Sequence, residues 1–169
     1  MSGVEVLRTE RLILRHLMDD DAPFVLEHLN ERGFIDNIGD RGVRDVDGAR
    51  GYIHRAGGSY QRNGYGLWAV VLKATGEVIG LCGLIRREGL EHADIGYSFL
   101  ERHWRQGYAV EAASAVLRHA REVIGLPTVV AITDPSNTGS IAVLGKIGLR
   151  PAGTIQVPGY DGESSYFTT

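Results

Sequence analysis

Short apolar runs bounded by turn residues, and a few stretches with a helical period, mark out the elements of the chain. Leu12 to Leu17 predicts a strand. Asp19, Asp20 and Asp21 follow where a helix start attracts negative charge, with Pro23 suited to its first turn. That helix is expected to run to about Asn30 and to bury Phe24, Val25 and Leu29. The three aspartates fit helix capping better than metal binding, because no further carboxylate or histidine completes a ligand spacing nearby. Between Gly33 and Gly66 lie nine glycines in 34 residues, around a weak helical pattern from Val46 to about Arg62 that Asp45 would cap. Two readings are open for this segment: a loosely packed excursion, or a mobile wall that closes over a substrate.

Regularity returns with Leu67 to Leu72, a turn at Thr75 and Gly76, Val78 to Arg86, a second turn around Glu88 and Gly89, and His92 to Phe99. Three strands joined by short turns predict an antiparallel meander, and Gly80 and Gly83 inside its middle strand predict a bulge or a close neighbour. Gly107 to Ile124 carries the clearest helical period, with Ala109, Ala112, Ala113, Val116, Leu117, Ala120 and Ile124 on one face. Gly125 ends that helix, and Pro127 prevents its continuation. Thr128 to Thr133 is almost wholly apolar and rich in β-branched residues, as in a strand buried on both faces. A turn at Asp134 to Asn137, a short helix from Ser140 to Ile147 stopped by Gly148, and strands near Leu149 to Val157 and Ser164 to Thr169 complete the order. Strand, crossover helix and strand imply a locally parallel pair within a mixed sheet. No internal repeat or low-complexity segment interrupts the pattern.

The 169 residues, 43% of them hydrophobic, suit one domain spanning 1–169 with a core that needs no metal or disulfide support. Cys82 is the lone cysteine, and the first residues carry Glu5 and Glu10 with no apolar stretch, so a cytoplasmic protein without a secretory signal is expected. The longest plainly apolar run, Leu67 to Leu72, falls far short of the roughly 20 residues of a membrane span. A net charge of −3 argues against a general nucleic-acid binder. All but two of the 18 basic residues are arginine, which fits genome composition as well as phosphate recognition. Glycine, at 23 residues, is about twice as common as usual, so where the backbone needs freedom or close approach becomes informative.

The loop from Phe99 to Ala109 joins the third meander strand to the long helix and reads Phe-Leu-Glu-Arg-His-Trp-Arg-Gln-Gly-Tyr-Ala. A glycine at a loop-to-helix corner, with a small residue two positions later, lets a bulky anion reach unpaired backbone N–H groups, and phosphate or pyrophosphate is the natural guest. Arg102 and Arg105 add positive charge there, and His103 lies beside it. Gly64-Tyr65-Gly66 is weaker as a dinucleotide fingerprint, since it precedes a strand instead of opening a helix. A second group, Asn137-Thr138-Gly139-Ser140 and Lys146-Ile147-Gly148-Leu149, follows the next strand and falls at the same sheet edge.

With these groups the chain resembles the GNAT superfamily of acetyl-CoA-dependent N-acetyltransferases, in the branch that includes ribosomal-protein-alanine acetyltransferases. Three stretches carry the resemblance: Thr9-Glu10-Arg11-Leu12-Ile13-Leu14-Arg15; Asp94-Ile95-Gly96-Tyr97 through Trp104 and Gly107-Tyr108-Ala109-Val110-Glu111-Ala112; and Asn137 through Leu149. It implies an α/β fold with a mixed, mostly antiparallel sheet of about seven strands and flanking helices, splayed between the fourth and fifth strands. It further implies that the backbone near Phe99 and Leu100 pairs with the pantetheine amides of the cosubstrate. The amides of Trp104, Arg105, Gln106, Gly107, Tyr108 and Ala109 would hold the pyrophosphate, and Asn137 and Ser140 would line the thioester end. The sequence departs from the family at Glu101, where proline is common, at Arg105, where glycine is frequent, and at Leu144, where many members carry a tyrosine that serves as general acid.

In the implied reaction a neutral amine attacks the thioester carbonyl and a thiolate leaves, with no metal required. A thiol of pKa about 8.5 needs little help in leaving, so a hydrogen bond from Ser140 would suffice; Ser140 reads equally as a first-turn helix residue that caps the backbone after Asn137. Asp94 is the candidate to take the amine proton. The expected acceptor is an amine, first a protein N-terminal α-amine and next a small molecule such as an amino acid, polyamine or aminoglycoside. A non-catalytic acyl-CoA-binding module is the alternative, and the protein is expected to be a monomer or homodimer. The histidines show no metal spacing, Cys82 reads as a buried small hydrophobe, Trp68 and Tyr97 as core or groove wall, and Tyr65 as a residue that could face substrate.

Overall fold

The computed structural model describes residues 3–169. Its strands are β1 (Glu5–Arg8), β2 (Leu12–Arg15), β3 (Leu67–Leu72), β4 (Val78–Ile85), β5 (Asp94–Phe99), β6 (Val130–Thr133), β7 (Arg150–Ile155) and β8 (Ser164–Thr168). They form one 8-stranded sheet in the order β1-β2-β3-β4-β5-β6-β8-β7. Every neighbouring pair is antiparallel except β5 and β6, which the crossover helix makes parallel. The helices are α1 (Ala22–Leu29), α2 (Arg32–Asn37), α3 (Val46–Asn63), α4 (Tyr108–His119) and α5 (Thr138–Lys146). Among the described residues, no helix is long and apolar enough to cross a membrane.

Strand alternation divides the side chains between two layers. Cys82, Leu84, Ile95 and Phe99 join Ala112, Ala113, Val116 and Leu144 in the larger core, under α4 and α5. Ala69 and Leu81 face the other way, against Val25, Leu29, Phe34, Ala49 and Ile53 of α1 to α3. A small third core of Leu90, Val130 and Val157 seats the β7–β8 loop, with Tyr160, on that second face of the sheet. The glycine-rich segment is thus well packed, and it forms a wall instead of a loose excursion. Asp45 caps α3 by accepting from Gly48 N at 2.7 Å, and Gly64, at φ 76°, ends it in the left-handed region.

The glycines of β4 answer to close neighbours. A Cβ on Gly83 would stand 1.9 Å from the carbonyl oxygen of Gly66, and one on Gly80 would stand 2.5 Å from that of Ser98. β1 and α2 have weak local signals, and contacts from elsewhere hold both. β1 has only Val6 and Leu7 as apolar residues and is held by pairing with β2. α2 contains Gly33, which disfavours a helix, yet a Cβ there would lie 2.5 Å from the Trp104 ring, so the helix docks only with glycine at this position. Tyr65 is buried in the larger core and does not face a substrate, which corrects the expectation for that residue.

Candidate active site

β5 and β6 meet at one register position, Asp94 opposite Val130, and then part. Val130 N donates to Ala93 O at 3.0 Å, and Leu100 N donates to Ile79 O at 2.9 Å. Odd-numbered residues of β5 therefore turn their main-chain groups toward β6, and even-numbered ones toward β4. Beyond the meeting point the N–H and C=O of Tyr97 and the N–H of Phe99 face a gap with no strand partner. The Phe99 carbonyl accepts from Trp104 Nε1 at 2.8 Å. Unpaired main-chain groups inside a sheet need partners, and an extended molecule carrying amides would supply them. Leu100 is fully buried, and its N–H is spent on Ile79, so the expectation that its backbone pairs in the gap does not hold.

At the upper end of the gap, Gly107, at φ 83°, turns the chain into α4 without any side-chain cap. The first main-chain bond of the helix runs from Glu111 N to Gly107 O, so it leaves the N–H groups of Tyr108, Ala109 and Val110 to an external anion. Arg105 sits at φ 62°, the left-handed region where glycine is easiest to accommodate. Arg102 does not turn to this corner: its guanidinium is bound to Glu27 at 2.8 Å and Glu77 at 2.6 Å. His103 likewise reaches Glu77, at 3.0 Å.

The Thr9-Glu10-Arg11 stretch acquires a role here that no local pattern announced. Glu111 Oε2 accepts from Thr9 Oγ1 and from Arg11 N at 2.9 Å, while its Oε1 accepts from Arg11 Nε at 2.7 Å. Arg11 also donates to Gln106 O at 3.0 Å and lies over the Tyr108 ring, 4.4 Å from its centre. The β1–β2 turn thereby clamps the first turn of α4. Burial pushes the Glu111 carboxyl upward, but these hydrogen bonds outweigh it and hold the group below the usual range.

On the α4 and α5 face of the gap, Tyr97 and Ser140 are joined. The Tyr97 hydroxyl lies 3.0 Å from both the Ser140 carbonyl and Ser140 Oγ. Asn137 is the cap of α5, its Oδ1 accepting from Ser140 N at 3.1 Å; the Ser140 hydroxyl thus belongs to Tyr97 and not to the cap. Burial drives the Tyr97 phenol up to about 12, against the opposing pull of its bond to Ser140. Leu144 is buried beside them and offers no acid.

On the opposite face, Asp94 is buried at the foot of the gap. Its Oδ2 accepts from Arg87 Nε at 2.8 Å, and Arg87 Nη1 reaches the Tyr160 hydroxyl at 2.9 Å. Burial raises the Asp94 carboxyl above the ordinary range, and Arg87 offsets part of that. Four residues along β5, on the same face, the Ser98 hydroxyl meets His28 Nε2 at 2.8 Å, and burial lowers the His28 imidazole from 6.5 to about 4. The polar groups on the two faces of β5 line one cleft of about 870 Å³, which passes from the Gly107 corner through the gap to α2 and the β7–β8 loop, while Leu100, Arg102 and Gln106 lie outside its lining. Phe99, Trp104, Arg105, Gly107, Tyr108, Ala109, Asn137, Ser140 and Asp94 all border it. Arg87, Tyr97 and Tyr160 join them as polar groups of the site for which residue pattern alone assigned no chemistry. The two faces of β5 thus bring a carboxylate and a hydroxyl pair to opposite sides of one opening.

A family model described as an acetyltransferase (GNAT) domain matches residues 11–150. The chain is 32% identical over 163 residues to the uncharacterized protein YkkB of Bacillus subtilis strain 168, covering 92% of this chain and 91% of that one. It is 27% identical over 164 residues to the uncharacterized N-acetyltransferase YoaA of the same organism, covering 96% and 93%. The crystal structure of an acetyltransferase from Agrobacterium tumefaciens strain C58 superposes with a TM-score of 0.84 at 30% identity, covering all of this chain and 95% of the other.

Proposed function

The chain belongs to the GNAT family of acetyltransferases and uses acetyl-CoA, and from that premise we propose that it acetylates a protein N-terminal α-amine by direct attack within one domain spanning 1–169. The parted edge of β5 is the observation that carries this reading, because it offers the free main-chain groups of Tyr97 and Phe99 to the amides of a pantetheine arm. The N–H groups from Arg105 to Ala109, with the Arg105 guanidinium, hold the pyrophosphate; the Trp104 N–H is spent on Glu101 O at 3.1 Å, so the expectation that it joins them does not hold. Asn137 and Ser140 flank the thioester.

Asp94 takes the proton that the amine sheds on attack. Its buried setting makes it a stronger base than an exposed carboxylate, although still a weak one beside a lysine amine. Ser140, held by Tyr97, donates a hydrogen bond to the departing thiolate. The Tyr97 phenol keeps its proton and serves to orient Ser140.

The preference for an α-amine follows from the weak base. At about pH 7 an α-amine of pKa about 7.8 is roughly 14% neutral, against about 0.04% for a lysine amine of about 10.4, a handicap near 3.5 kcal/mol. Acetylation of a peptide with a free N-terminal alanine should therefore outpace that of an N-terminally blocked lysine peptide. Faster turnover of the lysine peptide would refute the assignment. Calorimetric titration with CoA tests the cofactor groove independently.

A further inference from the structure

At the foot of the gap, on the face opposite Ser140, Asp94 keeps one oxygen without any partner. It is 1% exposed, and Oδ2 is bound to Arg87, while Oδ1 accepts from no described residue. A buried carboxylate oxygen left bare is costly unless a ligand completes it, and an amine is the donor this cleft is built to receive. Arg87 is the second half of the feature. Its side chain is 21% exposed and lines the cleft; Nε is used by Asp94 and Nη1 by Tyr160, and no described residue accepts from Nη2. The Tyr160 ring lies 5.5 Å from the guanidinium carbon and fixes its plane. The third core anchors Tyr160 in turn, so the guanidinium is held from two sides before any substrate arrives.

An unpaired acceptor and an unpaired donor, one on each member of a single ion pair, match a ligand that carries a nitrogen donor and an oxygen acceptor on neighbouring carbons. We propose that Arg87 is a specificity-determining residue that binds the oxygen next to the reacting amine, so that the acceptor is an α-amino acyl group whose nitrogen meets Asp94 and whose carbonyl meets Arg87. The inference rests on the α-amine reading and sharpens it. A lysine side chain or a polyamine satisfies Asp94 and leaves Arg87 empty, whereas a peptide N-terminus, an amino-acid amide or a free amino acid satisfies both. Tyr160 acts as a positioning residue through Arg87.

The test compares alaninamide with 2-aminopropionitrile, in which a linear nitrile replaces the carbonyl and makes the amine less basic. The wild-type enzyme should favour alaninamide by about tenfold or more in kcat/KM, although the nitrile presents more neutral amine. Arg87→Gln and Arg87→Lys should raise KM for alaninamide about tenfold and bring the two substrates close to parity, with Tyr160→Phe in between. Calorimetry with CoA on each variant shows that the cofactor groove is intact. Because a less basic amine is also a weaker nucleophile, the preference is read as its change from wild type to variant, with Tyr160→Phe as the milder variant should an Arg87 variant fail to fold. Equal turnover of amide and nitrile by the wild type, or a preference unmoved in a folded Arg87 variant, overturns this inference alone. Turnover of a blocked lysine peptide with neither alanine compound accepted overturns the α-amine reading with it. Free alanine and an alanine-initiated peptide serve as further arms: a faster amino acid identifies a carboxylate partner for Arg87, and a faster peptide identifies a peptide carbonyl.

Discussion

Lowering the pH from about 7 to about 4.5 should cost this protein 2 to 3 kcal/mol of stability through His28 alone. The imidazole is 1% exposed, hydrogen-bonded through Nε2 to Ser98 on β5, stacked on Phe24 and met edge-on by Phe34. Burial lowers its pKa from 6.5 to about 4, so the native state refuses a proton that the unfolded chain accepts. The unfolded chain then binds more protons between these values, and stability rises with pH across the window; the contribution is complete above about 6.5 and is lost as pH falls toward about 4. At about pH 4.5 the unfolded histidine is nearly all protonated and the native one mostly neutral, a population ratio on the order of a hundred, or about 2 to 3 kcal/mol, against less than about 1 at pH 7. Glu31 Oε1 stands 3.7 Å from Nδ1, beyond hydrogen-bonding reach. Burial raises the pKa of that carboxyl, which weakens its pairing with the imidazolium in acid. Urea unfolding of the wild type and of His28→Gln at the two pH values measures the effect, and acid losses common to both proteins cancel. A glutamine variant that loses as much stability as the wild type would refute the reasoning.

Three further outcomes are expected. Arg105→Gly should remove a left-handed strain of about 1 kcal/mol and raise the melting temperature by about 2 to 4 °C in a thermal melt, while weakening acetyl-CoA binding by loss of the guanidinium; a lower melting temperature would mean that side-chain contacts hold the loop. Tyr97→Phe frees the Ser140 hydroxyl to rotate and should lower kcat about fivefold, the equivalent of one hydrogen bond, with KM for acetyl-CoA unchanged in steady-state assays. An unaltered kcat would remove Tyr97 from the mechanism. Glu111→Gln weakens three hydrogen bonds to Thr9 and Arg11 and should cost about 2 kcal/mol in urea unfolding, with looser CoA binding by calorimetry as the first turn of α4 loses its clamp.

Most of the sheet was legible in local pattern. The meander, the helix opening at Gly107 and the Asp45 cap all follow from period, turn chemistry and capping, which are properties of near neighbours. β1 and α2 were not, because pairing with β2 and docking against Trp104 override weak propensities. The apolar period of α4 extends to Ile124, whereas the regular α-helix ends at His119 and a π-turn continues from Ala120 to Ile124. The candidate site divided in the same way. The Gly107 corner and the Asn137–Ser140 turn carried a signal, whereas Leu100 and Arg102 sit in the same loop yet spend their polar groups elsewhere.

What the amino-acid order determined by itself was most of the elements and their sequence along the chain, the family and the residue types at the anion corner, since each depends on composition, spacing or a short motif. The parting of β5 and β6 was implied by the family resemblance; only the tertiary structure fixed their point of contact at Asp94 and Val130 and decided that Glu111 answers to Thr9 and Arg11 about a hundred positions away. It also decided that Arg87 joins Asp94 to a tyrosine 73 residues further on. Such contacts carry no local period. They exist because two layers of apolar side chains pack on opposite faces of one sheet and bring distant polar groups to its edges, where each must find a partner or wait for a substrate to provide one.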